Sequence, residues 1–182
     1  MILQAYRCQA CEHVYLGEVR PDKCPHCGVS EDLMVTIDKY VPLLRDIDLD
    51  TKSLNYALEA LELEETANLL YRQFADETNN ILAESYYRRF ARHEDVHAEE
   101  LEKILGEDRP TITRDELESF DNDEDRLNKI IQLENNAVEL YNEISLAAEN
   151  FQVRYLFRHL IEVEASHSET SEYLKNYIRQ NL

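Results

Sequence analysis

Tryptophan is absent, and with 3 glycines and 4 prolines in 182 residues the chain has little of what tight turns require. A sandwich or barrel of short strands is thereby disfavoured, while 31% charged residues favour long helices with solvated faces. Basic residues are also scarce: 19 against 38 acidic ones give a formal charge of -19. That sign repels phosphate backbones and anionic headgroups, which argues against nucleic-acid and membrane-surface roles. No stretch approaches the roughly 18 apolar residues of a spanning helix, and Met1 to Arg7 lack the basic-then-apolar layout of a signal peptide, so the expected location is the cytoplasm. What is present is 43% hydrophobic residues, enough for a buried core, and a mainly α body is expected around it.

Cysteine is confined to the first 28 residues, where Cys8-Gln-Ala-Cys11 is followed, after twelve residues, by Cys24-Pro-His-Cys27. Two such pairs in a reducing compartment point to four thiolates around one metal ion more than to disulfides, and iron or zinc fits that set. Residues 1–38 hold these cysteines together with strand-like runs at Ile2–Tyr6 and Leu33–Ile37, and they form a mini-domain that a metal must staple. Residues 39–50, with Pro42 and several acids, form a linker; residues 51–182 turn helical after candidate caps at Thr51 to Ser53. The periodicity predicts helices over 53–77, 80–105, 123–148 and 151–179. The first and third connections are short; the second, Gly106 to Asn122, is long and is expected to hold a short helix near Arg114 to Ser119. Two tight hairpins joined by a long crossover is the ferritin-like form of the four-helix bundle.

An offset of 70 residues carries Glu64, Ala67, Leu70 and Tyr71 onto Glu134, Ala137, Leu140 and Tyr141, and carries Glu94 and His97 onto Glu164 and His167. Core positions at alternating spacings of three and four run Ala57, Ala60, Glu64, Ala67, Tyr71, Phe74 in the first helix. They run Tyr87, Phe90, Glu94, His97, Leu101, Ile104 in the second; Leu127, Ile130, Glu134, Ala137, Tyr141, Ile144 in the third; and Phe157, Leu160, Glu164, His167, Ser171, Leu174 in the fourth. Each helix therefore turns one glutamate inward. Four carboxylates in an apolar core repel one another and each lose hydration worth several kcal/mol, so a positive group must offset them. Two metal ions do so, because glutamate bridges and chelates and Glu-x-x-His puts both ligand types one turn apart on one face. Asp95, Glu99, Glu100 and Glu162 read as solvated neighbours. Tyr71 and Tyr141, two turns beyond their helix glutamates, are expected mainly to pack the core, with a hydrogen bond to a ligand carboxylate as the alternative. His13, His26, His93 and His159 are taken as non-ligands.

The segment Tyr6-Arg-Cys-Gln-Ala-Cys-Glu-His-Val-Tyr-Leu-Gly17 with Cys24-Pro-His-Cys-Gly28 resembles rubredoxin, a mononuclear iron electron carrier. With the bundle included, nearly the whole chain resembles rubrerythrin, and its domain order resembles that of the reverse rubrerythrins. The resemblance implies a di-iron site of two Fe ions held by Glu64, Glu94, His97, Glu134, Glu164 and His167, and one Fe, or Zn, held by Cys8, Cys11, Cys24 and Cys27. It also implies reduction of H2O2, with electrons from NAD(P)H passing through an electron-donor reductase and the thiolate-bound iron, and between subunits of a homodimer or higher homo-oligomer. Two departures stand out. Ala137 replaces a further carboxylate common in the family three residues after the third-helix glutamate, which favours a ferroxidase-like or O2-reactive role. Glu12 replaces the usual glycine after the first knuckle, where positive φ is often needed. The alternatives are an iron-oxidising or storage protein with structural zinc among the cysteines, and an oxygenase acting on an organic substrate.

Overall fold

The computed structural model describes residues 2–44, 47, 49–106, 108–113 and 117–181. Three short antiparallel strands, β1 (Gln4–Cys8), β2 (Val14–Gly17) and β3 (Met34–Thr36), form a sheet in the order β2-β1-β3. Tyr6 pairs with Tyr15 on one side and Thr36 on the other, so β1 carries its Cys8 end into the first knuckle at the centre of the sheet. β2 lies outside the strand-like runs expected from the sequence, and its residues Val-Tyr-Leu-Gly carry no apolar–polar alternation.

Four helices follow: α1 (Thr51–Glu77), α2 (Ile81–Leu105), α3 (Asp123–Ala147) and α4 (Phe151–Asn181). Their starts follow from capping chemistry. Asp50, one residue ahead of the expected caps, accepts from the backbone N–H groups of Lys52 and Ser53. Asn80, Asn122 and Asn150 cap the other three in the same way. Helix α2 ends on Gly106, whose φ of 66° suits a residue without a Cβ. Helices α1 and α2 form one hairpin and α3 and α4 the other. Arg109 fastens the start of the crossover to the first hairpin through Glu65, Asp95 and Glu102 at 2.7–3.0 Å. Residues 117–120 are not helical; residues 114–116 of the expected short helix lie outside the described residues.

Every core position named from the spacing is buried, the four glutamates included. The mini-domain is not a separate bead on a string. Its buried residues join those of the bundle in one apolar cluster, and Leu43, Leu44, Ile47 and Leu49 of the connecting segment pack against it. Lys23 donates to Ser166 Oγ at 3.0 Å, Ser30 Oγ lies 3.1 Å from His159 Nδ1, and Gln152 donates to the Leu43 carbonyl at 2.6 Å. The four-cysteine domain and its connecting segment are thereby held against α4.

Candidate di-iron and four-cysteine centres

Midway along the bundle, Glu64, Glu94, His97 and Glu164 each bring a ligand atom within 4.8 Å of the others, and Glu94, Glu134, Glu164 and His167 do the same beside them. Glu94 and Glu164 belong to both groups. Nδ1 of His97 lies 3.1 Å from Glu94 Oε2, 3.2 Å from Glu164 Oε1 and 3.5 Å from Glu64 Oε2. Nδ1 of His167 lies 3.0 Å from Glu94 Oε1, 3.0 Å from Glu164 Oε2 and 3.6 Å from Glu134 Oε1. Each shared carboxylate thus turns one oxygen to each side, the arrangement of a bridge, while Glu64 and Glu134 terminate the two ends.

These short separations are not hydrogen bonds: both oxygens of Glu94 and of Glu164, and Nδ1 of both histidines, are buried without a hydrogen-bond partner among the described residues. Ligands about 2.1 Å from an ion and at right angles stand about 3.0 Å apart, which accounts for the spacing. Charge agrees with it. Four carboxylates beside two neutral imidazoles are balanced by two divalent cations. Without such ions protons must serve: burial and the charge of Glu164 push the Glu64 carboxyl well above the usual carboxylate range, and burial with Glu94 pushes Glu134 to about 8. Burial also acts against the charge on Glu164, yet His97 and His167 outweigh it and hold that carboxyl below the ordinary range. Burial opposes charge on both rings, but the surrounding carboxylates hold His97 and His167 well above the usual histidine value.

The tyrosines correct the expectation of plain packing. Tyr71 donates to Glu134 Oε1 at 2.7 Å, and Tyr141 donates to Glu64 Oε1. Each hairpin's tyrosine therefore secures the terminal carboxylate of the other hairpin.

Cys8, Cys11, Cys24 and Cys27 converge in the same manner, with Cys8 Sγ 3.8 Å from Cys27 Sγ and Cys11 Sγ 3.7 Å from Cys24 Sγ. No pair is bonded as a disulfide, and a tetrahedron with metal–sulfur bonds of about 2.3 Å has edges of about 3.8 Å. The two knuckles share one backbone pattern. The N–H of Glu12 donates to the Cys8 carbonyl at 3.1 Å and that of Gly28 to the Cys24 carbonyl at 2.9 Å, with φ of 65° and 79° respectively. Glu12 therefore adopts the left-handed turn without distorting it, and its side chain is pinned by Arg7 Nη2 at 2.6 Å.

The two centres touch. Nε2 of His97 donates to the backbone carbonyl of Cys27 at 2.8 Å, so a bundle imidazole and a knuckle thiolate lie on one bonded path within a single chain. The face of α2 that the sequence reading left to water is covered here: Glu100 is fully buried, neither of its oxygens has a hydrogen-bond partner among the described residues, and burial raises its carboxyl to about 7. Asp95 does meet cations, at Arg72 and Arg109, and Glu162 is exposed as expected. His13 and His26 stack on each other, 4.7 Å apart, and belong to none of the groups of converging ligand atoms.

Comparison with known proteins agrees with the geometry. Residues 6–34 match the rubredoxin-like domain of rubrerythrin, and residues 49–175 match the ferritin-like domain. Reverse rubrerythrin-1 of Clostridium acetobutylicum is 27% identical over 117 residues, which are 58% of this chain and 64% of that protein. The match thus spans less than two thirds of that relative's length. Among solved structures, a dodecameric thioferritin, the bacterioferritin-related protein of Bacteroides fragilis, aligns with a TM-score of 0.60 and 20% identity over 76% of this chain and 94% of its own. At that identity the likeness shows the shared fold. No helix among the described residues is long and apolar enough to cross a membrane. The chain belongs to the ferritin-like family, and its rubredoxin-like domain ahead of a carboxylate-histidine bundle makes it a di-iron protein of rubrerythrin type in reversed domain order.

Proposed function

We propose that the protein reduces hydrogen peroxide to water, with electrons entering through iron held by Cys8, Cys11, Cys24 and Cys27. Residues 1–38 serve as the electron-entry module, 39–50 tie it down, and 51–182 form the reaction bundle. The observation that carries this reading is the Cys27 carbonyl bonded to His97 Nε2, since it joins a one-electron relay to the bundle cluster. Reduction of H2O2 takes two electrons and two protons and yields two waters; ferrous ions bound in the bundle would supply the electrons and the Lewis acidity that ease O–O cleavage. Glu94 and Glu164 would be shared between the two cations, Glu64 and Glu134 would close the ends, and Tyr71 and Tyr141 keep those end carboxylates in place. His97 orients its Nδ1 toward the cluster because its Nε2–H is committed to Cys27. The His97–Cys27 contact supports a route within one chain, beside the transfer between subunits that the resemblance implies; assembly into a homo-oligomer is part of the proposal, as for the thioferritin.

The test is NAD(P)H-coupled consumption of H2O2 by the iron-loaded protein with a suitable reductase. Turnover should fall to background in the Glu94→Ala, His97→Ala variant, and normal turnover there rejects the reading. One observation favours a second function. Ala137, buried beside Glu134, brings no further oxygen to the cluster, and a site without that ligand suits oxidation and handing-on of ferrous iron. Zinc among the cysteines of protein from iron-replete cells, with no visible thiolate-to-iron charge-transfer band, would support that alternative.

A further inference from the structure

His93 precedes Glu94 on α2, is buried, and is absent from both groups of converging ligand atoms. Its ring meets that of His167 edge to edge, with centroids 5.2 Å apart and planes inclined by 26°, and its Nδ1 lies 2.9 Å from His167 Nε2. That contact has a direction. His167 aims Nδ1 at Glu94, Glu134 and Glu164, so a neutral ring that gives Nδ1 to a cation carries its proton on Nε2. The Nε2–H then donates, and Nδ1 of His93 must be the lone pair that receives it.

The four-cysteine domain closes on this same edge of His93. A Cβ added to Gly28 would stand 3.2 Å from His93 Nδ1 and 3.1 Å from Val163 Cγ1, so the second knuckle presses its one side-chain-free residue against this ring. The two bundle imidazoles are thus oriented by neighbouring parts of one turn: His97 by the Cys27 carbonyl, and His167 by His93 lodged against Gly28. We propose that His93 is a positioning residue that locks His167 in its Nε2–H tautomer, with the Nδ1 lone pair turned to the cluster, and makes that orientation depend on the docked four-cysteine domain. The proposal rests on the reading of the bundle cluster as a site for two ions.

Anaerobic titration of the full chain with Fe(II) tests it, following occupancy by equilibrium dialysis and the ferrous environments by Mössbauer spectroscopy. His93→Phe keeps a buried planar ring at this position and removes the acceptor. One of the two bundle irons, the one on the His167 side, should bind about 10–100-fold more weakly, the usual effect of losing such a partner, while the other is unchanged. His93→Asn, whose Oδ1 stands near the position of Nδ1, should restore most of the loss. Wild-type affinity for both irons in His93→Phe overturns the proposal, as does equal weakening of both irons in the two variants, which marks lost packing. Should His93→Phe not fold, the Asn variant decides through the Mössbauer signal of the His167-side iron, expected to match wild type. Failure of the wild-type bundle to take up two ferrous ions would instead refute the metal reading itself.

Discussion

Replacing Glu134 by glutamine should change how the iron-stripped protein responds to pH. In the folded chain burial and the neighbouring Glu94 push this carboxyl from 4.5 to about 8, whereas in the unfolded chain it titrates in the ordinary carboxylate range. Between those values the native state holds a proton that the unfolded state has released. The group's contribution to stability is therefore complete below the unfolded value and is lost as pH rises toward the folded one. One proton changes the unfolding free energy by about 1.36 kcal/mol per pH unit, so between about pH 5 and pH 8 the wild type should lose up to about 4 kcal/mol more than Glu134→Gln. The glutamine keeps an oxygen for Tyr71 and carries no titrating proton. His97 and His167 are raised in the same direction, but they are present in both proteins and largely drop out of the difference. Urea denaturation of both stripped proteins across that range, extrapolated linearly to zero urea, measures it. The iron-loaded wild type should run the opposite way, because deprotonated ligands bind cations better as pH rises. Parallel loss of stability in the stripped wild type and the glutamine variant would refute the picture of a buried, protonated carboxyl.

Two further outcomes are expected. Tyr71→Phe and Tyr141→Phe should each cost about 1.5–3 kcal/mol in denaturant unfolding of the iron-loaded protein, since each strips a hydrogen bond from a buried carboxylate; an unchanged midpoint would show that the hydroxyls are bystanders. Glu12→Gly should raise stability slightly, by less than about 1 kcal/mol, because relief of left-handed strain at φ 65° outweighs the loss of a half-buried pair with Arg7; a clear loss of stability would mean that the Arg7 contact governs the knuckle.

The bundle and its cluster were legible because helical periodicity makes an anomaly visible: Glu64, Glu94, Glu134 and Glu164 fall on an apolar stripe, and the 70-residue repeat sets them at matching positions in the two hairpins. The cysteine pairs announced themselves by spacing. What escaped notice depends on contacts between segments far apart in the chain. Glu100 looks like one more surface acid beside Glu99 until the four-cysteine domain closes over it. His93 lies off the stripe defined by the bundle alone, yet it faces Gly28 of a different domain. The crosswise partners Tyr71–Glu134 and Tyr141–Glu64 were half visible, since spacing gave the tyrosines the right height but not the hairpin each would reach. Asp50 was passed over as a cap because Thr51 and Ser53 offered the same chemistry beside it.

The exchange of tyrosines between halves bears on how such a protein could arise. A lone helical pair would present an acceptor without its donor and a donor without its acceptor, and a second copy related by a twofold axis would satisfy both at once. Joining the copies through the crossover leaves that mutual dependence intact and frees each half to diverge where the other does not touch it. The asymmetry between a knuckle carbonyl on His97 and a histidine on His167 is then the mark of a cap docked on one half-site more directly than on its twin.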